Sequence, residues 1–510
     1  MLFFYHISSF LLLLPLLSIF FLIKASTPKN QSSLAPSTAI GLPRSYPIIG
    51  SFLAVVANRK RQLQWISNIL QVSPSATFVL HYGIGARHVF TADPAVVQHI
   101  LKTNFPNYGK GDSVKGTLKD FLGHSILNVD GESWKFQRQL ASHEFNTKSL
   151  RKFIEIVVDA EISNRLIPFL SSAAATGTVV DFQDILQRFS FDNICQIAFG
   201  FDPAYLLPSL PQTKFAQAFE ESVKISSERF EEVIPAIWKI KKLLNIGSEK
   251  RMRIAISVVK EFAKNIIRKK KQELKEKASL DSVDLLSRFL CSGHSDENFV
   301  IDMVISFILA GRDTTSSALT WYLWLLSKNP HVEFEVLKEI KEKSKAPIYE
   351  EVKDMVYTHA SLCESMRLYP PVPEDAKEAL NDDVLPDGTV VKKGMRVAYV
   401  PYAMGRLETL WGPDWAEFKP ERWLEKEEAG NRQWRFVGKD VYTYPVFQAG
   451  PRICLGKEMA FLQMKRVLAG VLRRFKVVSA MEEGVEPEFV QQLTSKMKGG
   501  FPVRIVERDA

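Results

Sequence analysis

Residues 447–456 read Phe447-Gln448-Ala449-Gly450-Pro451-Arg452-Ile453-Cys454-Leu455-Gly456. One cysteine sits in a loop between two glycines, with an arginine two positions before it. Most lone cysteines are structural thiols buried in turns. Five residue types at fixed spacing coincide in a chain of this length on the order of once in ten thousand, which disfavours that account. The combination suits an anionic sulfur close to a flat macrocycle. Glycines keep Cβ atoms out of its way, the arginine complements a carboxylate, and the aromatic ring covers the sulfur. Those are the needs of a cysteine that ligates a haem iron as thiolate.

The string resembles the haem-binding signature of the cytochromes P450, F-x-x-G-x-R-x-C-x-G, at every fixed position. Further landmarks of that family occur in the expected order from Trp134 to Gly456, so the resemblance covers essentially the whole chain. It implies haem b (iron protoporphyrin IX) with Cys454 as the metal ligand and Arg452 and Phe447 beside it. It also implies a mainly α (α+β) fold, one large helical domain with small β-sheets. Sequence pattern alone leaves that architecture open.

Length would suggest about three domains for 510 residues. The landmarks of one site are spread from 134 to 456, however, so a single fold has to enclose them. The four cysteines (Cys195, Cys291, Cys363, Cys454) form no C-x-x-C pair, which speaks against a disulfide framework or a zinc cluster and suits a reducing compartment. The net charge of +9 comes without an aromatic-interleaved basic patch, so no nucleic acid is expected. An anionic membrane surface and an acidic protein partner fit better.

Residues 2–23 contain no Lys, Arg, Asp or Glu and are rich in Leu, Phe and Ile. Some 22 such residues can span a ~30 Å hydrocarbon layer. A cleaved signal peptide would have a basic start and a shorter core. We expect an uncleaved N-terminal transmembrane helix, with Lys24, Lys29 and Arg44 keeping the remainder cytosolic. With the resemblance, this places the chain at the endoplasmic reticulum membrane, in contact with the lipid bilayer. A Pro-rich linker (24–50) and a catalytic domain (51–510) would follow.

Alternation around a glycine turn predicts two strands within 76–91. Helical periodicity dominates 94–345, with breaks at 200–211 and 292–296. A hairpin is expected across 383–400, turning at Asp387-Gly388. A helix starting just past Gly456 should run to about 475.

The apolar run 299–326 contains Ala310-Gly311-Arg312-Asp313-Thr314-Thr315. Asp302, Arg312 and Asp313 argue against a membrane span and for a buried central helix. Gly311 lets something approach the backbone. The hydroxyls of Thr314 and Thr315 can turn to the preceding turn's carbonyls and loosen the ladder. The run is similar to the oxygen-binding helix of the P450s. That resemblance implies Thr314 as the hydroxyl that hydrogen-bonds the oxygen being activated and Asp313 as the acid linked to bulk solvent. Glu364 and Arg367 (i, i+3) share a helix face. By resemblance they join Arg422 in a structural, buried ionic network. Trp134 and Arg138 (i, i+4) resemble the family's propionate-gripping pair. Where P450s commonly place a further propionate-binding arginine this chain has Lys377, a point charge without a fork.

Two other motifs fail. His143-Glu144 lacks the second histidine of a zinc protease helix, since position 147 is Thr. Gly83-x-Gly85 lacks the third glycine of a dinucleotide site. Without a nucleotide fold, electrons must come from another protein, which the family implies is NADPH–cytochrome P450 reductase. Lys135, Arg138, Arg452, Lys457, Lys465 and Arg466 are candidates for its docking face.

Segments 128–134, 140–145 and 456–460 resemble the plant fatty-acid omega-hydroxylase branch, which oxidises the terminal methyl of medium- and long-chain fatty acids with O2. Close members act on jasmonoyl-isoleucine instead. A narrow channel is needed to present a chain end, and Val304, Phe307, Leu309, Ala310, Val372, Leu493 and Thr494 are its expected walls. A hydroperoxide isomerase and a non-catalytic haem protein are the alternatives from other classes. Thr314 and the proton-relay helix argue against both.

Overall fold

The computed structural model describes residues 41–509 apart from 83–85, 208, 211–212, 233, 277–283, 292–295, 428–433 and 483. The expected anchor (2–23), the first part of the linker and Gly83-x-Gly85 lie outside the described residues. Among the described residues no helix is long and apolar enough to cross a membrane.

The predominance of apolar side chains with helical periodicity produces a mainly helical body with small sheets. The helices that matter for the site are α1 (Gly111–Leu122), α2 (Gly131–Ser142), α3 (Phe182–Phe199), α4 (Lys214–Glu231), α5 (Pro235–Leu244), α6 (Gly247–Glu276), α7 (Glu297–Lys328), α8 (Val356–Leu368) and α9 (Lys457–Arg474). The break expected near 200–211 falls between α3 and α4, and the helix expected after Gly456 is α9.

Helix α7 is the axis of the molecule. Asp296 caps it by accepting from the Asn298 amide, and most of its residues on every face are buried. A helix apolar all round belongs in a core, and here it is buried among other helices. Two apolar cores meet along it. The N-terminal half, through Leu309, packs with α3, α4 and α6. From Ala318 onward it packs with α8, α9 and the sheet. Between the two cores lies the polar run 310–317.

The main sheet has five strands: β1 (Thr77–His81), β2 (Arg87–Thr91), β3 (Tyr108–Gly109), β4 (Asp375–Ala379) and β5 (Arg396–Tyr399), in the order β1-β2-β5-β4-β3. β1 and β2 are antiparallel with Thr77 opposite Thr91, as the sequence pattern anticipates. β5 runs parallel to β2, setting His88 beside Arg396, and antiparallel to β4, setting Lys377 beside Val397. The hairpin expected across 383–400 is shorter than anticipated. Only Asp383–Val384 and Val390–Val391 pair, turning at Gly388 with φ 86°. The later Val-rich stretch leaves the hairpin for the sheet as β5.

Candidate active site

The cysteine loop is built from two tight turns, Pro445–Phe447 and Gly450–Arg452. The Cys454 amide donates to the Phe447 carbonyl at 2.9 Å, which closes the loop around the sulfur. Gly450 has φ 64°, and a Cβ there would lie 2.0 Å from the Leu101 carbonyl oxygen. Glycine is therefore demanded twice, by conformation and by contact. The amides of Gly456 and Lys457, at the start of α9, point at the sulfur. Burial raises the Cys454 thiol pKa, and these amides together with Arg138 and Lys457 pull it back. Such donors favour the thiolate once a cation displaces the proton. Phe447 packs beside the loop with its ring 5.2 Å from that of Phe461.

Trp134 and Arg138 project from one face of α2, the guanidinium 5.8 Å from the indole centre. Arg452 covers the same indole at 4.5 Å. The structure thus brings Trp134, Arg138, Arg452 and Cys454 together. Arg452 donates to Asp130 at 2.6 Å, whereas Arg138 has no carboxylate partner among the described residues. Lys377 is buried with its Nζ 2.6 Å from Asp375. Lys110 approaches the same carboxylate at 3.6 Å, and Gln448 of the cysteine loop donates to it at 2.7 Å. Burial lowers the Lys377 pKa to about 8 against the pull of Asp375. Burial opposes ionisation of Asp375 too, yet Lys110 and Lys377 hold it far below the usual carboxylate range.

This cluster tests whether haem fits. Five cations gather here, Lys110, Lys115, Arg138, Lys377 and Arg452, and among the described residues their ion pairs are with two carboxylates, Asp130 and Asp375. Excess positive charge in a partly buried site calls for anions. A macrocycle with two carboxylates and one thiolate supplies them. Among the described residues no group of three His, Cys, Asp or Glu can hold a metal ion. An iron held by one cysteine would take its remaining ligands from a macrocycle. The residues fit.

On α7, Ala310 is exposed and Phe307, Gly311 and Thr314 are partly so, within a helix otherwise buried on both sides. Their spacing places them on one stripe of the helix. The Thr314 hydroxyl donates to the Ala310 carbonyl at 2.6 Å. Helix α7 nevertheless runs unbroken from Glu297 to Lys328, so the expected loosening does not interrupt it. The hydroxyl shares a carbonyl without displacing the amide. What approaches the Gly311 backbone is Ile194 of α3, whose side chain would lie 2.6 Å from an added Cβ. Asp313 is buried, and its carboxylate oxygens have no hydrogen-bond donor among the described residues. Arg312 stands 3.3 Å from it and also pairs with Glu220 of α4, which in turn pairs with Lys496. Burial raises the Asp313 pKa while Arg312 opposes the rise. Charges of alternating sign thus run from a buried acid to Glu220, whose side chain is 35% exposed.

Glu364, Arg367 and Arg422 do meet. Arg367 grips Glu364 at 2.8 and 2.7 Å, and Arg422 donates to it at 3.2 Å. Trp423, where the family more often has Phe, adds its indole N–H at 3.0 Å.

A cleft of about 1120 Å³ opens between β1–β2, α1, α4, α5 and the C-terminal strands. Of the seven expected wall residues it is lined by Val372 and Leu493. Val304 and Leu309 are instead core of the N-terminal half of α7, Phe307 and Ala310 lie on the exposed stripe, and Thr494 is buried. Its polar lining, Tyr82, His88, Glu374 and Arg396, carries no motif and depends on strand register. The proposed docking face also needs correction. Lys465 is buried and donates to the Lys353 carbonyl, and Arg466 is buried against Asp159. Their long stems lie along the core-facing side of α9, leaving neither to meet a partner.

A cysteine presented on backbone amides, a cationic cradle beside it and a buried helix with a partly exposed threonine are the parts of a haem-thiolate oxygenase. Residues 40–501 match the family model described as Cytochrome P450. The chain is 64% identical over 488 residues to cytochrome P450 94A2 of Vicia sativa, covering 95% of this chain and 94% of that one. It is 62% identical to cytochrome P450 94A1 of the same plant over 92% and 91% of the two chains. Cytochrome P450 94B3 of Arabidopsis thaliana is 49% identical over 98% of both. The chain belongs to the cytochrome P450 family and is a monooxygenase carrying thiolate-ligated haem b.

Proposed function

We propose that this protein hydroxylates the terminal methyl of medium- and long-chain fatty acids, with electrons drawn from NADPH through a separate reductase. The observation that carries the reading is the cleft. It is large, Val372 and Leu493 are among its apolar lining, and Ser495, two residues on from Leu493, touches Ser317 of α7 at 2.9 Å. That contact lies one helical turn from Thr314, so the segment that follows Leu493 ties this wall of the cleft to the helix that carries the threonine.

Bound haem supplies activation of dioxygen and insertion of one oxygen atom into a C–H bond. The chain's residues do the rest. Cys454 holds the thiolate, steadied by the amides of Gly456 and Lys457. Trp134, Arg138 and Arg452 orient the carboxylates of the prosthetic group, with Phe447 shielding the sulfur. Thr314 presents its hydroxyl to the oxygen side. Asp313, held beside Arg312 and the partly exposed Glu220, is the acid through which protons return from solvent.

The outer surface supports residence at the endoplasmic reticulum membrane. Around the cleft mouth, Ile48 is 82% exposed, and on α5 Leu243 is 84% exposed with Ile237 and Ile240 on the same surface. Exposed apolar side chains interleaved with lysines, as on α5, fit a lipid surface. An amphiphile entering from the bilayer would slide in chain first.

The test combines membranes bearing the protein with reductase, NADPH and lauric or oleic acid. NADPH-dependent omega-hydroxy acid is expected. Turnover of jasmonoyl-isoleucine alone would move the substrate to the sibling branch, and hydroperoxide consumption without NADPH would overturn the monooxygenase reading.

A further inference from the structure

The charges lining the cleft are mostly committed. Arg229 is held by Glu249 and Asp120, Lys110 by Asp375, and Lys498 by Glu488. Arg59, Lys60 and Lys239 are exposed at the rim. Arg396 differs from all of these. β5 brings it inward beside His88, where it is partly buried. Its Nη2 donates to Glu374 at 3.1 Å, an end-on contact, and its Nε is buried with no acceptor among the described residues. Phe230 lies against the guanidinium at 5.8 Å.

A guanidinium offers five N–H donors in a fixed fork, and one carboxylate held end-on leaves most of them free. Arg229 of this same chain holds both Glu249 and Asp120. A second carboxylate on Arg396 is therefore within its capacity, although the charge of Glu374 opposes its arrival.

We propose that Arg396 is the head-group anchor of the cleft. A carboxylate-bearing amphiphile docks on the free edge of this guanidinium and lays its chain past Val372 and Leu493 toward Thr314. The inference rests on the fatty-acid reading above and adds the residue that recognises the acid.

Binding is measured on full-length holoenzyme from the spin-state shift of the haem spectrum, with lauric acid and its methyl ester as the two probes. R396Q should weaken lauric acid by about tenfold or more and leave the ester unchanged. R396K, which keeps charge without the fork, should fall between. E374Q removes the competing carboxylate and should tighten the acid about threefold. Equal effects on acid and ester, no effect of R396Q, or weaker acid binding in E374Q would each overturn the proposal. Should R396Q fail to give holoenzyme, R396K and E374Q decide the matter. Arg396-dependent binding of lauric acid without terminal oxidation would leave the anchor standing and remove only the reaction.

Discussion

Replacing Glu364 with alanine removes a carboxylate that accepts from five donors: two nitrogens of Arg367, one of Arg422, the Trp423 indole and the Lys419 amide. Arg367 is left with carbonyls only, those of Gly405 and Glu417, and its side chain is 0% exposed. A buried charge stripped of its counter-charge costs about 3–5 kcal/mol. That is a large fraction of a total stability of about 5–15 kcal/mol. The damage also reaches the cysteine loop. Trp423 packs edge-on against Tyr444 at 4.7 Å, and Tyr444 immediately precedes the first turn of that loop. Glu364→Ala should therefore fail to retain haem, and Glu364→Gln should do little better, because its amide NH₂ would face donors. Holoenzyme yield, from the ferrous–CO spectrum, and thermal unfolding measure both. Normal yield and an unchanged Tm in Glu364→Ala would refute the reasoning.

Thr314→Ala should keep the thiolate CO band but lower the product formed per NADPH consumed, which parallel assays of the two would check. Gly450→Ala, which places a Cβ against the Leu101 carbonyl, should abolish haem incorporation while expression of the chain is followed by immunoblot. Burial, and then the neighbouring Asp192, push Glu161 up to about 8 in the folded protein. Its neutral form is the folded one, so this group's stabilising effect is complete below about pH 4.3, the unfolded value. The effect is lost as pH rises toward 8. Unfolding curves of Glu161→Gln should match the native protein at low pH and show a higher Tm at pH 9, and a constant gap across that range would contradict the assignment.

Residues close in sequence were legible because local geometry alone positions them. Trp134 with Arg138 and Glu364 with Arg367 each share a helix face whatever surrounds them. The cysteine loop was legible because its glycines and cysteine answer to backbone and metal chemistry within ten residues. Arg422 reached its network only through family resemblance, since 58 residues that include β4 and β5 separate it from Glu364 and no periodicity connects them. Asp375, Lys110 and Gln448 converge on Lys377 through strand pairing and loop packing, which a single sequence does not encode in any short pattern. The polar wall at Arg396 escaped notice for the same reason. Lys465 and Arg466 were misread because a cation on an amphipathic helix is usually solvated, and here distant backbone and Asp159 satisfy them instead.

The account depends most on Cys454 as the ligand of the haem iron. The direct measurement is the absorption spectrum of the reduced, carbon-monoxide-bound holoenzyme, read beside that of Cys454→His. The native protein should show the red-shifted Soret band of a thiolate ligand, and the variant the shorter-wavelength band of imidazole ligation. A folded native protein that shows only the shorter-wavelength band would contradict it.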